Sequence, residues 1–286
     1  MKTVIHVWTN NCCNIKYNPN DTSSYWGIGD LLRGTIKLFQ LQSSLKFQLL
    51  VDISLHPISG FIENSTHNYT NLIENNKHNI PYYYIDTLKP YLSEKYKQNK
   101  QCSSDELNND QIILLTTNDK TIETLPITDN CKVFIKKMLK PKPEFQAYLN
   151  NIITNLPIKE YNIFHIRLGD YYLIKNNNCT INFEEFINKL ISNNALEPTK
   201  DIIITDNHQL KKYIKTRTDL YTLDTKIKHS SIDTIPESIR DTLVELFLLQ
   251  NAGKIKTFSI YHWISGFVVW ISKIYDIPLI SIKNKI

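Results

Sequence analysis

Two short stretches, far apart in the chain, hold the residues best suited to chemistry. His165-Ile-Arg-Leu-Gly-Asp170 ends an apolar run in a histidine, an arginine and a carboxylate. Tyr25-Trp-Gly-Ile-Gly-Asp-Leu-Leu-Arg-Gly34 reads as a glycine turn that opens a helix. Arg167 follows an apolar strand, the position at which open α/β sheets meet their ligands. Its planar guanidinium matches a diphosphate bidentately, whereas paired with Asp170 it would only close a strand end. His165 alternates with Arg167 and reads as a contact to the same ligand or as a core histidine. If the two stretches face each other across a cleft, the chemistry is the handling of a nucleotide-activated small molecule.

Further candidates sit at similar junctions. Asp206 follows the apolar run Ile202–Thr205. A carboxylate there can accept hydrogen bonds from a ribose or from the paired N1–H and N2–H of guanine, or it can cap the next helix. Thr257-Phe258-Ser259 offers hydroxyls and amides at a third strand end, as phosphate donors or again as caps. Asp30 suits a helix start by capping and by the dipole. Gly27 and Gly29 form a GxG without the rest of a GxGxxG. His56, before Pro57, follows the second predicted strand and is placed with Trp26 on the acceptor side of the expected cleft. Trp263 and Trp270 share a face of the last predicted helix and read as core. The chain has no HExxH, CxxC, Walker A or GxSxG pattern, so nothing asks for a metal and a hydrolase elbow is disfavoured.

The elements that would position these residues alternate between strand and helix. Thr3–Trp8 reads as a first strand, Asn10–Ser24 as a loop, Gly27 to about Ser43 as a helix and Leu45–Asp52 as the second strand. His56 to Lys100 shows no clear period, Lys97–Asp110 reads as an exposed loop, Gln111–Thr117 as a strand and Val133–Leu139 as a short element. Lys140-Pro-Lys-Pro143 is the boundary signal, because proline cannot continue a helix. Beyond it the spacing predicts helices over Glu144–Ile153, Asn182–Ile191, Ser238–Gln250 and His262–Tyr275, with another starting at Asp206. Strands are predicted at Tyr161–Arg167, Asp201–Thr205, Lys254–Phe258 and Pro278–Ile282. The expected fold is α/β, two Rossmann-like doubly wound domains facing across a cleft, divided into 1–140 and 141–286.

With 286 residues and 42% hydrophobic content the chain can build a real core. Its net charge of +5 is spread thinly, without the dense basic footprint of nucleic-acid binding. Five cysteines, an odd number, leave a disulfide framework or zinc site disfavoured and suit a reducing, cytoplasmic compartment. Abundant Asn, Lys and Ile with only 7 Gly point to AT-rich coding. Met1–Trp8 is too short an apolar run for a signal peptide, and Phe258–Ile271 too short to span a bilayer, so a soluble protein without a membrane segment is expected.

Taken in order, the junctions resemble the GDP-fucose-dependent fucosyltransferase superfamily, which includes the α1,2-, α1,6-, plant and protein O-fucosyltransferases. His165–Asp170 with Tyr171 is similar to its HxRRGDY segment, and Ile203–Asp206 to its apolar strand ending in Ser/Thr-Asp. Lys254–Ser259 with Trp263 is similar to its third motif, and Tyr25–Gly34 to the glycine-rich opening of the plant and bacterial branches. The resemblance covers most of the chain apart from roughly 56–140. It implies a GT-B fold with the donor mainly on the second domain. It implies Arg167 on the donor β-phosphate, His165 and Asp206 near guanosine, and Ser259 with Thr257 and Phe258 by the phosphates. It also implies inversion without an essential metal, GDP-fucose as donor and a glycan or protein hydroxyl as acceptor. Leu168 stands where many members carry a second arginine. Asp30, His56 and Asp170 are the candidate bases. A transferase using another nucleotide sugar, or a catalytically silent binding module, remain the alternatives.

Overall fold

The computed structural model describes residues 2–8, 27–53, 56–63, 82–84, 112–118, 126–169, 181–227 and 236–282. The loops expected over 10–24 and 97–110 lie outside them, as do Trp26, Asp170 and Tyr171. The chain divides into two compact units, Met1–Pro141 and Lys142–Ile286.

The first unit is built on β1 (Lys2–Val7), whose Val4 and Ile5 are fully buried. It pairs in parallel with β2 (Phe47–Asp52) on one side and β4 (Ile112–Thr116) on the other, and β3 (Tyr82–Tyr84) extends the sheet beyond β4. β2 shows the period of a strand with one face inward, with Phe47, Leu49 and Val51 buried and Gln48 exposed. Helix α1 (Ile28–Leu45) connects β1 to β2 and lays Leu38 and Leu41 on Val4, Phe47, Leu49, Ile113 and Leu115. Helix α2 (Asp129–Met138) starts at Thr128, whose hydroxyl accepts from the Cys131 N–H, and ends in Lys136 and Lys137, which suit the dipole. It absorbs the short element expected at 133–139.

The second unit is a five-stranded parallel sheet in the order β7 (Tyr221–Thr222), β6 (Asp201–Thr205), β5 (Asn162–Arg167), β8 (Ile255–Ser259), β9 (Leu279–Ser281). Its first helix, α3 (Pro143–Thr154), has proline at its first position, where the missing N–H costs nothing. The same Pro-Lys-Pro run that marks the boundary therefore also starts a helix. β5 and β6 are buried along both faces, β6 with the unbroken run Ile202–Ile204 and β5 with His165 buried among apolar neighbours. On one face Phe164, Ile166 and Ile203 pack on Phe186, Ile187 and Leu190 of α4 (Phe183–Ser192) and on Leu210 and Ile214 of α5 (His208–Arg217). On the other run α6 (Pro236–Gln250) and α7 (Gly266–Tyr275), packed against each other, with α7 Phe267 near the β5 His165 ring.

Two expectations about this unit need correction. Asp206 does not start or cap α5, since the cap is Asn207, whose side chain accepts from the Leu210 N–H at 2.8 Å. The last helix begins at Gly266 and not at His262. The Ser259 hydroxyl takes the Tyr261 N–H at 3.2 Å, a side-chain turn that competes with helix and delays its start. Trp263 therefore stands outside the helix and is exposed, whereas Trp270 is buried as expected.

Gly34 has a steric reason to be glycine. A Cβ there would lie 1.8 Å from the Thr117 backbone oxygen, so α1 lies directly against the chain leaving β4. Arg33 Nε reinforces the contact by donating to the Asn118 carbonyl at 2.8 Å. Gly34→Ala is expected to destabilise the protein by about 1–3 kcal/mol through overpacking. That corresponds to a lowering of the melting temperature by about 2–4 °C per kcal/mol. Gly60→Ala, with nothing within 4 Å of the added carbon, should leave it unchanged in the same thermal scan.

Candidate functional site

In the second sheet the chain steps from β5 to β6 on one side and later returns to β8 on the other. The crevice at the carboxyl ends of β5 and β8 is thus a topological switch point, where parallel sheets bind ligands. Register places His165 beside Thr257 and Arg167 beside Ser259. Residues two apart in a strand share a face, so these four side chains form one patch at the crevice. Phe258, expected among the donor contacts, takes the opposite face and meets the Phe186 ring at 5.1 Å.

His165 is buried, with Nδ1 2.9 Å from the Thr257 hydroxyl. Burial, and then the charge of Arg167, lower its pKa from 6.5 to about 3, so the imidazole is neutral at ordinary pH and offers hydrogen bonds rather than charge. Arg167 carries the positive charge of the patch. Its Nη1 lies 3.6 Å from Asp206 Oδ2, longer than a direct hydrogen bond.

Asp206 has a structural task that the sequence did not reveal. Its Oδ1 accepts from the Leu168 N–H at 2.7 Å and its Oδ2 from the Gly169 N–H at 2.9 Å. The carboxylate is buried and binds the loop that follows Arg167. Gly169 has φ of 109°, open to glycine, and a Cβ there would meet the Tyr261 hydroxyl at 2.8 Å. Asp206 is thus an acidic partner of Arg167 among the described residues, and Asp170 lies outside them.

In the first unit Gly27 caps α1, and Gly29 and Asp30 lie in its first turn. Asp30 Oδ1 pairs with Arg33 Nη2 at 2.7 Å. His56 follows β2 and is buried, with Nδ1 accepting the Ile58 N–H at 3.2 Å. A neutral ring that accepts at Nδ1 carries its proton at Nε2, so His56 presents a donor there and not a base. Burial lowers its pKa to about 4, and Nε2 has no hydrogen-bond partner among the described residues.

A third buried histidine, His6, was not expected. Its Nε2 accepts the Thr117 N–H at 3.3 Å, so Nδ1 carries the proton and donates to Thr35 Oγ1 at 2.8 Å. Trp8 Nε1 donates to the same hydroxyl at 3.1 Å, which in turn donates to the Leu31 carbonyl at 2.9 Å. This network ties β1 to α1 and leaves none of these polar atoms wanting. Among the described residues no cluster of three His, Cys, Asp or Glu could hold a metal, and no helix is long and apolar enough to cross a membrane.

Parallel α/β units with a switch-point site define the class of fold. No protein-family model and no curated protein matches the chain. Among solved structures it is similar to the α-1,6-fucosyltransferase NodZ soaked with GDP-fucose, at 14% identity and TM-score 0.53, covering 99% of this chain and 95% of that one. NodZ co-crystallised with GDP gives TM-score 0.54 at the same identity and coverage. The fucosyltransferase NodZ from Bradyrhizobium gives 0.52 at 13% identity, over 94% of this chain and 91% of that one. The chain has the α/β, GT-B-like fold of these fucosyltransferases.

Burial of the histidines links protonation to stability. The folded His165 protonates only near pH 3, the unfolded one near 6.5, so between these values the unfolded chain binds the extra proton. The stability that His165 contributes is present above pH 6.5 and is lost as pH falls toward 3. From pH 7 to 5 the loss is about 2 kcal/mol per such histidine. Denaturant titrations at the two pH values should show it, His165→Gln should remove its share of the difference, and the His165 ring resonances should not move between pH 8 and 5.

Proposed function

We propose that the chain is an inverting glycosyltransferase that moves fucose from GDP-fucose to a hydroxyl of a glycan or protein acceptor. The observation that carries this reading is the register pair Arg167–Ser259, backed by His165–Thr257, at the switch point of the second sheet. It brings one guanidinium and two hydroxyls together at the carboxyl edge, which supports reading that edge as a diphosphate site. The identity of the donor is supported by the fold shared with NodZ soaked with GDP-fucose or co-crystallised with GDP. In this reading the unit Lys142–Ile286 carries the donor, and the unit Met1–Pro141 contributes to the acceptor side.

In the proposed reaction the bond between sugar C1 and the β-phosphate oxygen breaks, and its electron pair stays on that oxygen. The acceptor oxygen bonds to C1 from the opposite face and gives up its proton to a base or to water. Arg167 and the Ser259 hydroxyl oppose the charge as it grows on the phosphate, the role a divalent cation plays elsewhere. Asp206 acts by holding the loop that follows Arg167. His56 is the weakest of the three candidate bases, because its unengaged nitrogen already holds a proton.

The direct test is mass spectrometry of products after incubation with GDP-fucose and a glycan array, alongside calorimetry with GDP, UDP, ADP and CDP. GDP should bind most tightly, by about 1–3 kcal/mol for one buried base contact. Equal affinity for GDP and UDP would remove the guanine assignment, and binding without turnover would leave a silent module. Where turnover is found, it should persist in excess EDTA.

Arg167→Ala should keep the fold and lower kcat/KM by at least about a hundredfold, the scale of losing one preorganised transition-state stabiliser. Arg167→Lys should restore little, since an ammonium lacks the planar fork. Melting temperature and initial rate are measured on the same preparations. An alanine variant that melts well below wild type yet keeps its rate would reduce Arg167 to a structural partner of Asp206.

A further inference from the structure

The chain leaves β8 through an aromatic run that the donor site does not use. Ile260, Tyr261, His262 and Trp263 follow Ser259 directly. The Tyr261 and Trp263 rings stack with centroids 4.6 Å apart and planes within 7°. His262 meets the Trp263 ring edge-on, 4.4 Å away at 90°. Trp263 nonetheless keeps 51% of its surface exposed, and Ile260 beside it 48%. With Tyr261 stacked on it and His262 perpendicular to it, Trp263 still leaves half of its surface open to solvent. Tryptophan is among the side chains a fold gains most by burying, so an open indole held flat is a binding feature before it is a packing one.

The stack is anchored to the site. Tyr261 N–H donates to Ser259 Oγ at 3.2 Å, and Ile260 N–H donates to the Arg167 carbonyl at 3.1 Å. The Tyr261 hydroxyl lies against Gly169, which only glycine allows. The run is thus tied to Arg167 and Ser259, the two residues assigned above to the leaving phosphate.

We propose that Trp263, backed by Tyr261, is the stacking platform for a pyranose ring of a glycan acceptor. The inference rests on the reading of the carboxyl edge as the donor site and narrows the acceptor class to carbohydrate. The C–H face of a pyranose presents slight positive charge to the negative face of an indole, and a neutral ring brings no charge to desolvate. The donor is gripped through its diphosphate. The acceptor needs a grip of its own that releases product each turnover, and an open aromatic face supplies one. The imidazole of His262, perpendicular to the indole with its centroid 4.4 Å away, is close enough to meet hydroxyls of a sugar held there. The run begins one residue beyond Ser259, at the phosphate end of the site, which suits a ring next to the transferred sugar.

The test is saturation-transfer NMR on the full chain with methyl β-galactoside, methyl β-glucoside and methyl β-N-acetylglucosaminide, with calorimetric titration of GDP on the same preparations. The wild type should transfer saturation to ring C–H protons of at least one glycoside. Trp263→Ala should weaken that glycoside by about tenfold or more. Trp263→Leu, which keeps apolar bulk without a π face, should lose nearly as much, and Trp263→Phe should retain part. Melting temperature and GDP affinity should stay at wild-type values in all three. No transfer to any glycoside in the wild type, or transfer undiminished in Trp263→Ala, overturns the platform. A GDP affinity about tenfold weaker in Trp263→Ala overturns it as well, by assigning the indole to the nucleobase. A wild type that fails to bind GDP fails the donor-site reading, in a measurement separate from the glycoside arm.

Discussion

The carboxyl edge of the second sheet depends on one carboxylate. Where β5 ends, the amides of Leu168 and Gly169 leave the strand ladder while still inside the protein. Buried N–H groups need acceptors, and leaving each unmet costs about 1–3 kcal/mol. Asp206, arriving at the end of the neighbouring strand, meets both, one with each oxygen. Bonds to an ionised acceptor are short and strong, so the loop has little freedom to drift. The course of that loop then decides the rest. Leu168 drops into the core, Gly169 takes a backbone angle that admits Tyr261 against it, and Arg167 is left beside the crevice with its charge 3.6 Å from the same carboxylate.

The opposite edge of the sheet is held by charge too. Lys256, buried in β8, reaches Glu197 at 2.6 Å and Asp201 at 3.0 Å, and Asp201 also accepts from Asn162 of β5 at 3.3 Å. Buried ion pairs contribute little net stability, because desolvation offsets most of the attraction. What they can contribute is register. A slip of one residue in β5 would send His165 and Arg167 into the core and bring Phe164 and Ile166 out. A network joining the amino ends of β5, β6 and β8 makes that slip leave charges unpaired, so it helps to set which residues reach the crevice.

How much of this the sequence disclosed follows from the range of each interaction. β6 was legible because Ile202–Ile204 is an unbroken apolar run, and β5 and β8 because short β-prone segments with alternating apolar residues stand between turn signals. The start of α4 was legible because Asn182 is a local cap, confirmed by its bond from the Glu185 N–H at 3.3 Å. Asp206 was misread because an aspartate between strand and helix looks the same whether it caps the next residues or binds a loop nearly forty positions away. The His6–Thr35–Trp8 network failed to show for the same reason. Phe258 is a different kind of miss, since strict alternation with Thr257 and Ser259 already excluded it from their face. Trp263 was drawn into a helix by its spacing from Trp270, and the hydroxyl of Ser259, which breaks that helix, was read only as a phosphate donor. Gly34 was counted with the glycine turn that opens α1, although its constraint is the backbone of Thr117.

The single arginine gains a physical explanation from the same geometry. Leu168 occupies the place where the resembling family often has a second arginine, which on sequence alone reads as a lost cation. In this chain position 168 is fully buried in the apolar cluster with Phe186 and Leu190, on the face away from His165 and Arg167. A guanidinium there would enter hydrocarbon rather than the crevice, and would leave its charge unsolvated. His165 cannot supply the second charge either, because burial and Arg167 itself keep the imidazole neutral. The patch therefore offers one fixed positive charge with hydroxyls around it. On the proposed reading, balance against a diphosphate has to come from hydrogen bonds as well as charge, and that would make the positions of Thr257 and Ser259, and so the register of β8, as important to the site as Arg167.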